Sequence, residues 1–279
     1  MVEDRLQEKK LRLRRILSNL HSAVVAFSGG CDSALLLAVA SEVMDDCIAV
    51  TARAPIFPPE ELQRAKTMAA QLGVEHLVID FHPFEMDDFA ANTPQRCYYC
   101  KRRLLELMRE IADERGLQHV IEASQLDDAG DFRPGLRAVD ELGVRSPLME
   151  AGFGKKDVRA LSKAMGLMTA DLPSAACFAS RIPYGTRIDS GMIAQVAEAE
   201  AVLRELGFEQ VRVRHHGEIA RIEVPPTDLC RLVSDPGRSD ILRRLREIGF
   251  TYITADVAGY RTGSMNEALE EEETSGETN

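Results

Sequence analysis

Between an apolar run, Ala23 to Phe27, and a helix-patterned stretch, Ala34 to Val43, the chain reads Ser28-Gly29-Gly30-Cys31-Asp32-Ser33. A glycine-rich turn between strand and helix constrains the fold more than any other segment. Two glycines let the backbone approach a ligand closely, and successive N–H groups line the concavity. The positive end of the following helix favours an anion there, so the turn is built to hold phosphate. A Walker loop would carry a Lys-Ser/Thr pair after its last glycine. Here an acid and a hydroxyl follow instead.

Apolar runs at Ala23 to Phe27, Cys47 to Thr51, His76 to Ile79 and Val120 to Ala123 alternate with longer helical patterns. That alternation predicts an α/β fold, a doubly wound parallel sheet with crossover helices. Ligands of such sheets collect at the carboxyl ends of the strands, where the glycine turn sits. The segments Thr93 to Arg103, Glu122 to Arg137 and Ser174 to Thr186 carry cysteines, acids or arginines and are expected to gather there. After Gly185 the pattern changes to a long helix, Ile193 to Leu206, followed by strands at Val211 to His215 and Ile219 to Val224. A helix at Ile241 to Ile248 and a strand at Tyr252 to Thr254 complete it. We read a phosphate-binding domain over 1–187, a smaller C-terminal α+β domain over 188–267, and a tail over 268–279.

The 279 residues are 45% hydrophobic, ample for two cores. Their net charge of −11 is uneven, because Glu267, Glu270, Glu271, Glu272, Glu273 and Glu277 crowd the end and leave −5 elsewhere. Such a tail is expected to be disordered and solvated. An acidic balance argues against a nucleic-acid binder, which shows a basic footprint, and favours a small-molecule substrate. The charged start has no apolar h-region, and no stretch approaches ~20 apolar residues, so a cytoplasmic protein without membrane contact is expected. Leu13, Ile16, Leu17 and Leu20 recur at helical spacing and predict an amphipathic N-terminal helix over the core.

Six cysteines in a cytosolic chain point to metal or catalysis rather than disulfides. Cys47 and Cys230 lie in apolar or helical patterns and read as small core residues. Cys31 occupies the variable position of the glycine turn. Cys97-Tyr98-Tyr99-Cys100 reads as a turn before the helix-patterned Lys101 to Ile111, with Arg96, Lys101, Arg102 and Arg103 favouring thiolates. One further cysteine, Cys177, lies in a loop expected at the same end of the sheet, close to Arg181. Three thiolates suit an iron–sulfur cluster with one open iron. Buried thiols or a zinc site, which usually takes four protein ligands, are the alternatives.

The SGGCDS turn resembles the PP-loop of ATP pyrophosphatases, which cleave ATP between the α and β phosphates. Together with Asp131-Phe132-Arg133-Pro134-Gly135-Leu136-Arg137 and Cys177-Phe178-Ala179-Ser180-Arg181-Ile182-Pro183-Tyr184-Gly185-Thr186, it resembles the LarE family of ATP-dependent sulfur transferases. The resemblance runs from about residue 10 to residue 266. It implies adenylation of a carboxylate of pyridinium-3,5-biscarboxylate mononucleotide, loss of AMP, and installation of sulfur for the nickel-pincer cofactor of lactate racemase. A homo-oligomer, commonly a hexamer, is implied as well.

On this reading Ser28, Gly29, Gly30 and Ser33 hold the pyrophosphate part of ATP, and Asp32 faces Mg²⁺. Arg133, Arg137 and Arg181 are candidates for clamping the substrate's phosphate or carboxylates, groups that suit bidentate guanidinium contacts. Arg212 and Arg214 look like the family's anion-binding arginines, and Glu200 like a carboxylate of a metal site, although Arg231 stands where its companion is expected. Two sulfur sources occur in similar proteins. Cys97, Cys100 and Cys177 match the type that carries sulfide on a 4Fe-4S cluster; the other sacrifices the cysteine of the Cys177 loop, a route closed if Ala176 is its true equivalent. A PP-loop tRNA thiolase and an ATP-binding sensor without turnover are the competing readings.

Overall fold

The computed structural model describes residues 2–130, 134–173, 176–235 and 237–261. They group into two compact units, Met1–Phe89 with Thr93–Ala175, and Ala90–Asn92 with Ala176–Asn279. The first opens with α1 (Val2–Leu20), β1 (Ser22–Ala26), α2 (Cys31–Val43), β2 (Asp46–Arg53), α3 (Pro59–Leu72) and β3 (Glu75–Asp80). Next come α4 (Asp87–Ala90), α5 (Arg96–Arg115), β4 (His119–Ile121), α6 (Gly135–Glu141), α7 (Pro147–Glu150) and α8 (Lys155–Ala164).

The sheet runs β3-β2-β1-β4 with every pairing parallel. Strand addition therefore reverses direction at β1, and a crevice opens beyond the carboxyl ends of β1 and β4. Both faces are covered, which explains why the strands are apolar nearly throughout. Ala23, Val25, Ala49 and Ile121 pack with α1, α2 and α8, while Val24, Ile48, Val50 and Val120 pack with Leu105, Met108 and Ala112 of α5. Leu13, Leu17 and Leu20 of α1 are buried, as their spacing predicts.

In the second unit α9 (Ser190–Glu205), β5 (Arg212–His216), β6 (Ile219–Glu223), α10 (Leu229–Val233), α11 (Gly237–Ile248) and β7 (Tyr252–Ala255) succeed one another. Its sheet, β5-β6-β7, mixes an antiparallel and a parallel pairing. Asp189 starts α9 by accepting the Met192 amide at 2.9 Å. Leu203, Val213, Ile222, Leu245 and Phe250 form the core.

The units divide at 175/176, earlier than the expected 187/188. Phe178, Ala179, Arg181 and Ile182 are buried, and the Asn92 amide reaches the carbonyls of Ile182, Pro183 and Thr186. Loop contacts of this kind leave no periodicity in a sequence. α5 also starts earlier than expected, at Arg96, which puts Cys97 and Cys100 inside the helix, near its N-terminus. Burial of Arg96 and Tyr98 anchors that turn, so tertiary packing overrides the weak helix propensity of Cys and Tyr. Cys230 is exposed rather than in the core, because Leu232 takes the buried side of the short α10. Arg133 and the acidic tail lie outside the described residues. No described helix is long and apolar enough to cross a membrane.

Candidate active site

The PP-loop turn leaves β1 and enters α2 with Gly29 at φ +74°, a conformation open to glycine and strained for other residues. A Cβ at Gly29 would lie 2.7 Å from the Glu61 carbonyl oxygen and 2.9 Å from the Ala65 amide, so α3 is seated directly on this backbone. The Ser33 hydroxyl accepts the Ser28 amide at 3.3 Å and donates to the Gly30 carbonyl at 3.2 Å. Ser28 Oγ accepts the Gly30 amide at 3.3 Å and meets Ser33 Oγ at 3.1 Å. These bonds hold the turn curled over the start of α2.

Asp32, in the first turn of α2, has one buried oxygen, Oδ1, without a hydrogen-bond partner among the described residues. A buried carboxylate oxygen with no donor suits a hard cation such as Mg²⁺. Its other oxygen, Oδ2, meets Lys155 Nζ at 2.6 Å. Lys155 was not expected in the site. It opens α8, where its own amide donates to Asp127 Oδ2 at 2.7 Å and the Gly154 amide donates to Asp157. Leu126 N donates to the Phe153 carbonyl, so the loop after β4 carries the start of α8 toward the loop after β1. The only sequence signal was Gly154 with an acid three residues on, a helix start.

At the end of β4, Glu122 is buried and collects Lys101 Nζ at 2.6 Å, the Ser124 hydroxyl at 2.8 Å, the Ser124 amide at 3.0 Å and the Ser146 hydroxyl. Burial alone would raise the Glu122 carboxyl, but Lys101 and the two hydroxyls outweigh it and hold the pKa below the ordinary value. A depressed carboxyl stabilises the fold above its unfolded pKa of ~4.3 and loses that contribution as pH falls through the folded value. Wild type should therefore exceed Glu122→Gln in urea midpoint at neutral pH, with the gap closing below about pH 4. An undiminished gap at pH 3 would contradict this assignment.

Lys101 follows Cys100 on α5, and the same turn receives α6. A Cβ at Gly135 would lie 3.3 Å from the Lys101 side chain and 3.5 Å from the Cys97 carbonyl oxygen. The Arg137 guanidinium stacks 3.8 Å from the centre of the Tyr98 ring. Arg137 is thus brought to the cysteine turn. Cys97 is exposed and Cys100 half-buried.

Cys177 belongs to the second unit, half-buried at the start of a short turn, Phe178–Arg181. Arg181 is 2% exposed and fully engaged. Its Nε and Nη2 bind Glu200 at 2.8 and 3.0 Å, while Nη1 donates to the carbonyls of Ala176 and Cys177 at 2.8 and 3.0 Å. Arg204 and the Val213 amide complete the shell of Glu200, at 2.7 and 3.1 Å. Glu200, expected as a carboxylate of a metal site, is paired here with two guanidinium groups. Among the described residues no three His, Cys, Asp or Glu side chains are grouped to hold a metal ion.

Arg214 is buried on Glu223 at 2.9 and 2.7 Å and reaches the Ser180 carbonyl at 2.8 Å. Arg212, half-buried, lies 5.4 Å from the centre of the Tyr260 ring, and burial, then Arg181, holds its pKa below the usual arginine value. Arg231 donates to the Leu206 carbonyl at 2.7 Å and stacks on Phe208, closing the end of α9.

The family model described as queuosine biosynthesis protein QueC matches residues 22–94, the stretch that contains the PP-loop turn. The pyridinium-3,5-bisthiocarboxylic acid mononucleotide synthase of Lactiplantibacillus plantarum is 40% identical over 268 residues, 95% of this chain and 96% of that protein. An uncharacterized protein of Synechocystis sp. is 37% identical over 265 residues, 95% of this chain and 99% of its own length. A tRNA-specific 2-thiouridylase MnmA of Rickettsia rickettsii is 26% identical over 227 residues, 67% of this chain and 61% of that protein. With a PP-loop at the switch point of a parallel sheet and a synthase matched along nearly its whole length, the chain belongs to the LarE family of PP-loop, ATP-dependent sulfurtransferases.

Proposed function

We propose that the protein activates a carboxylate of pyridinium-3,5-biscarboxylate mononucleotide with ATP and replaces the activated oxygen with sulfur. A substrate carboxylate oxygen attacks the α phosphorus, the bond to the bridging β oxygen breaks, and pyrophosphate leaves. A sulfur nucleophile then attacks the acyl carbon and AMP departs, leaving a thiocarboxylate. Two rounds give the bisthiocarboxylate used in the nickel-pincer cofactor of lactate racemase. Activation is needed because carboxylate oxygen is a poor leaving group.

The observation that carries this reading is the loop of Ser28 to Ser33 at the switch point, with Asp32 Oδ1 buried and unpartnered among the described residues. Its amides and the α2 N-terminus suit the pyrophosphate, and Asp32 suits Mg²⁺. Arg137 and Arg133 are the proposed contacts to the anionic substrate. Arg212 is a further proposed anion contact, while Arg181 and Arg214, paired with Glu200 and Glu223, hold the Cys177 and Ser180 carbonyls. The homology to MnmA supports a tRNA thiolase less well, since it is weaker and covers less of that protein.

For the sulfur source, Cys97, Cys100 and Cys177 fit a 4Fe-4S cluster in donor chemistry. Cys97 and Cys100 lie three residues apart in one helical turn, a spacing that puts them on one face. When bound, such a cluster supplies an open iron for a sulfide. Anaerobically purified protein should contain iron and acid-labile sulfide, and each single Cys→Ala change should remove the chromophore together with multiple-turnover sulfur transfer. Finding instead that only Cys177→Ala is inactive, in iron-free protein whose spent form has lost one H₂S, would establish the sacrificial route and end the cluster proposal.

A further inference from the structure

The peptide that leads into the PP-loop is fixed from both sides. Its carbonyl, on Phe27, accepts the Thr51 hydroxyl at 2.6 Å, and its amide, on Ser28, donates to Ser33 Oγ at 3.3 Å. A planar peptide held at both groups cannot tilt. The Phe27 amide also donates to the Val50 carbonyl at 2.9 Å, which carries the contact between β1 and β2 past the end of β1. Thr51 is 5% exposed, so its hydroxyl has to be paired inside the protein. Its single hydrogen goes to Phe27, which leaves the oxygen to accept.

That acceptor is met by His76 of β3, whose Nε2 lies 2.8 Å from Thr51 Oγ1. In the register of β2 with β3, His76 stands opposite Ala49, and Thr51, two residues on, shares its face. With the hydroxyl hydrogen committed to Phe27, Nε2 has to carry the ring proton. Burial, then Lys66, holds His76 below the ordinary histidine pKa, so the ring is neutral at neutral pH and its one N–H is the one aimed at Thr51. The ring also meets the Phe27 ring edge to face, with centres 6.0 Å apart. An edge strand two places from β1 is thereby tied to the first peptide of the phosphate turn.

We propose that His76 is a positioning residue for the PP-loop, acting through Thr51 to set the plane of the peptide between Phe27 and Ser28. This rests on the reading of the turn as the ATP site. Without the Nε2 proton the Thr51 hydroxyl is free to rotate away from Phe27, and the amides of Ser28 to Gly30 lose their common aim at an anion. Amides already aimed bind pyrophosphate without a further cost in ordering.

The test compares full-length wild type, His76→Leu, His76→Gln and Thr51→Val by calorimetry with Mg·ATP, Mg·pyrophosphate and AMP, and by amide exchange. His76→Leu should bind Mg·ATP and Mg·pyrophosphate roughly two- to tenfold more weakly, the range of one neutral hydrogen bond, and AMP as wild type does. The Ser28 and Gly30 amides should exchange faster by a similar factor while those of β1 do not. His76→Gln, which can present an amide N–H to Thr51, should recover most of both losses. Thr51→Val combined with His76→Leu should lose no more than Thr51→Val alone, because the histidine acts through the hydroxyl. Equal weakening of all three ligands, faster exchange throughout the first unit, or no recovery in His76→Gln would make His76 a packing residue. Unchanged binding and exchange in His76→Leu and Thr51→Val would remove the link altogether. Thr51→Val, close to threonine in shape, tests the same peptide if His76→Leu does not fold. Wild type that binds neither ATP nor pyrophosphate would overturn the ATP reading alone, because amide exchange still reads the hold on the turn.

Discussion

Replacing Arg181 with methionine should cost the second unit about 3–5 kcal/mol, the usual penalty for breaking a buried ion pair from one side. Glu200 is fully buried, and Arg181 supplies two of the donors that offset its desolvation. Arg204 and the Val213 amide cannot replace them, since Arg204 is partly exposed and the amide carries no charge. Removing both charges in Arg181→Met/Glu200→Met should cost less than the single change, because no carboxylate is then stranded. Urea unfolding and amide exchange at α9 and β5 read this locally. The loop of Cys177 should loosen too, as its carbonyl loses the Nη1 contact. A loss under ~1 kcal/mol, with weakened binding of the pyridinium mononucleotide and not of ATP, would instead restore Arg181 as a substrate clamp.

Changing Asp32 to alanine should lower pyrophosphate release by at least a hundredfold, of the order seen when one preorganised electrostatic partner is removed. Asp32 has one buried oxygen, suited to Mg²⁺, without a hydrogen-bond partner among the described residues, and a second oxygen that meets Lys155. Losing it removes the cation's carboxylate and releases the ammonium together. The fold should survive, because Ser28, Gly30 and Ser33 keep their mutual bonds without Asp32. Circular dichroism would check the fold, and a magnesium titration of pyrophosphate release the site. A variant with normal turnover and unchanged magnesium dependence would remove the loop from the reaction.

Much of the first unit was legible because its signals are local. The apolar runs around Val24, Val50 and Val120 mark strands buried on both faces, the run around Leu77 a half-buried edge strand, and Gly29 takes a backbone conformation that other residues resist. The start of α5 was not legible, since the burial of Arg96 and Tyr98 comes from packing and leaves no pattern around Cys97.

Sequence alone determined the phosphate turn, the parallel sheet it punctuates and the family motifs, all of which depend on residues close together in the chain. Tertiary structure decided which charges pair with one another inside the protein. Arg181 and Glu200 are 19 residues apart and close into a buried pair, and the same arginine donates to the Cys177 carbonyl. Lys155 and Asp32 are 123 residues apart, and only the reversal of strand order between β1 and β4 brings α8 to the PP-loop. The energy of a charge depends on its desolvation and its partner's distance, and neither is set until the chain has folded.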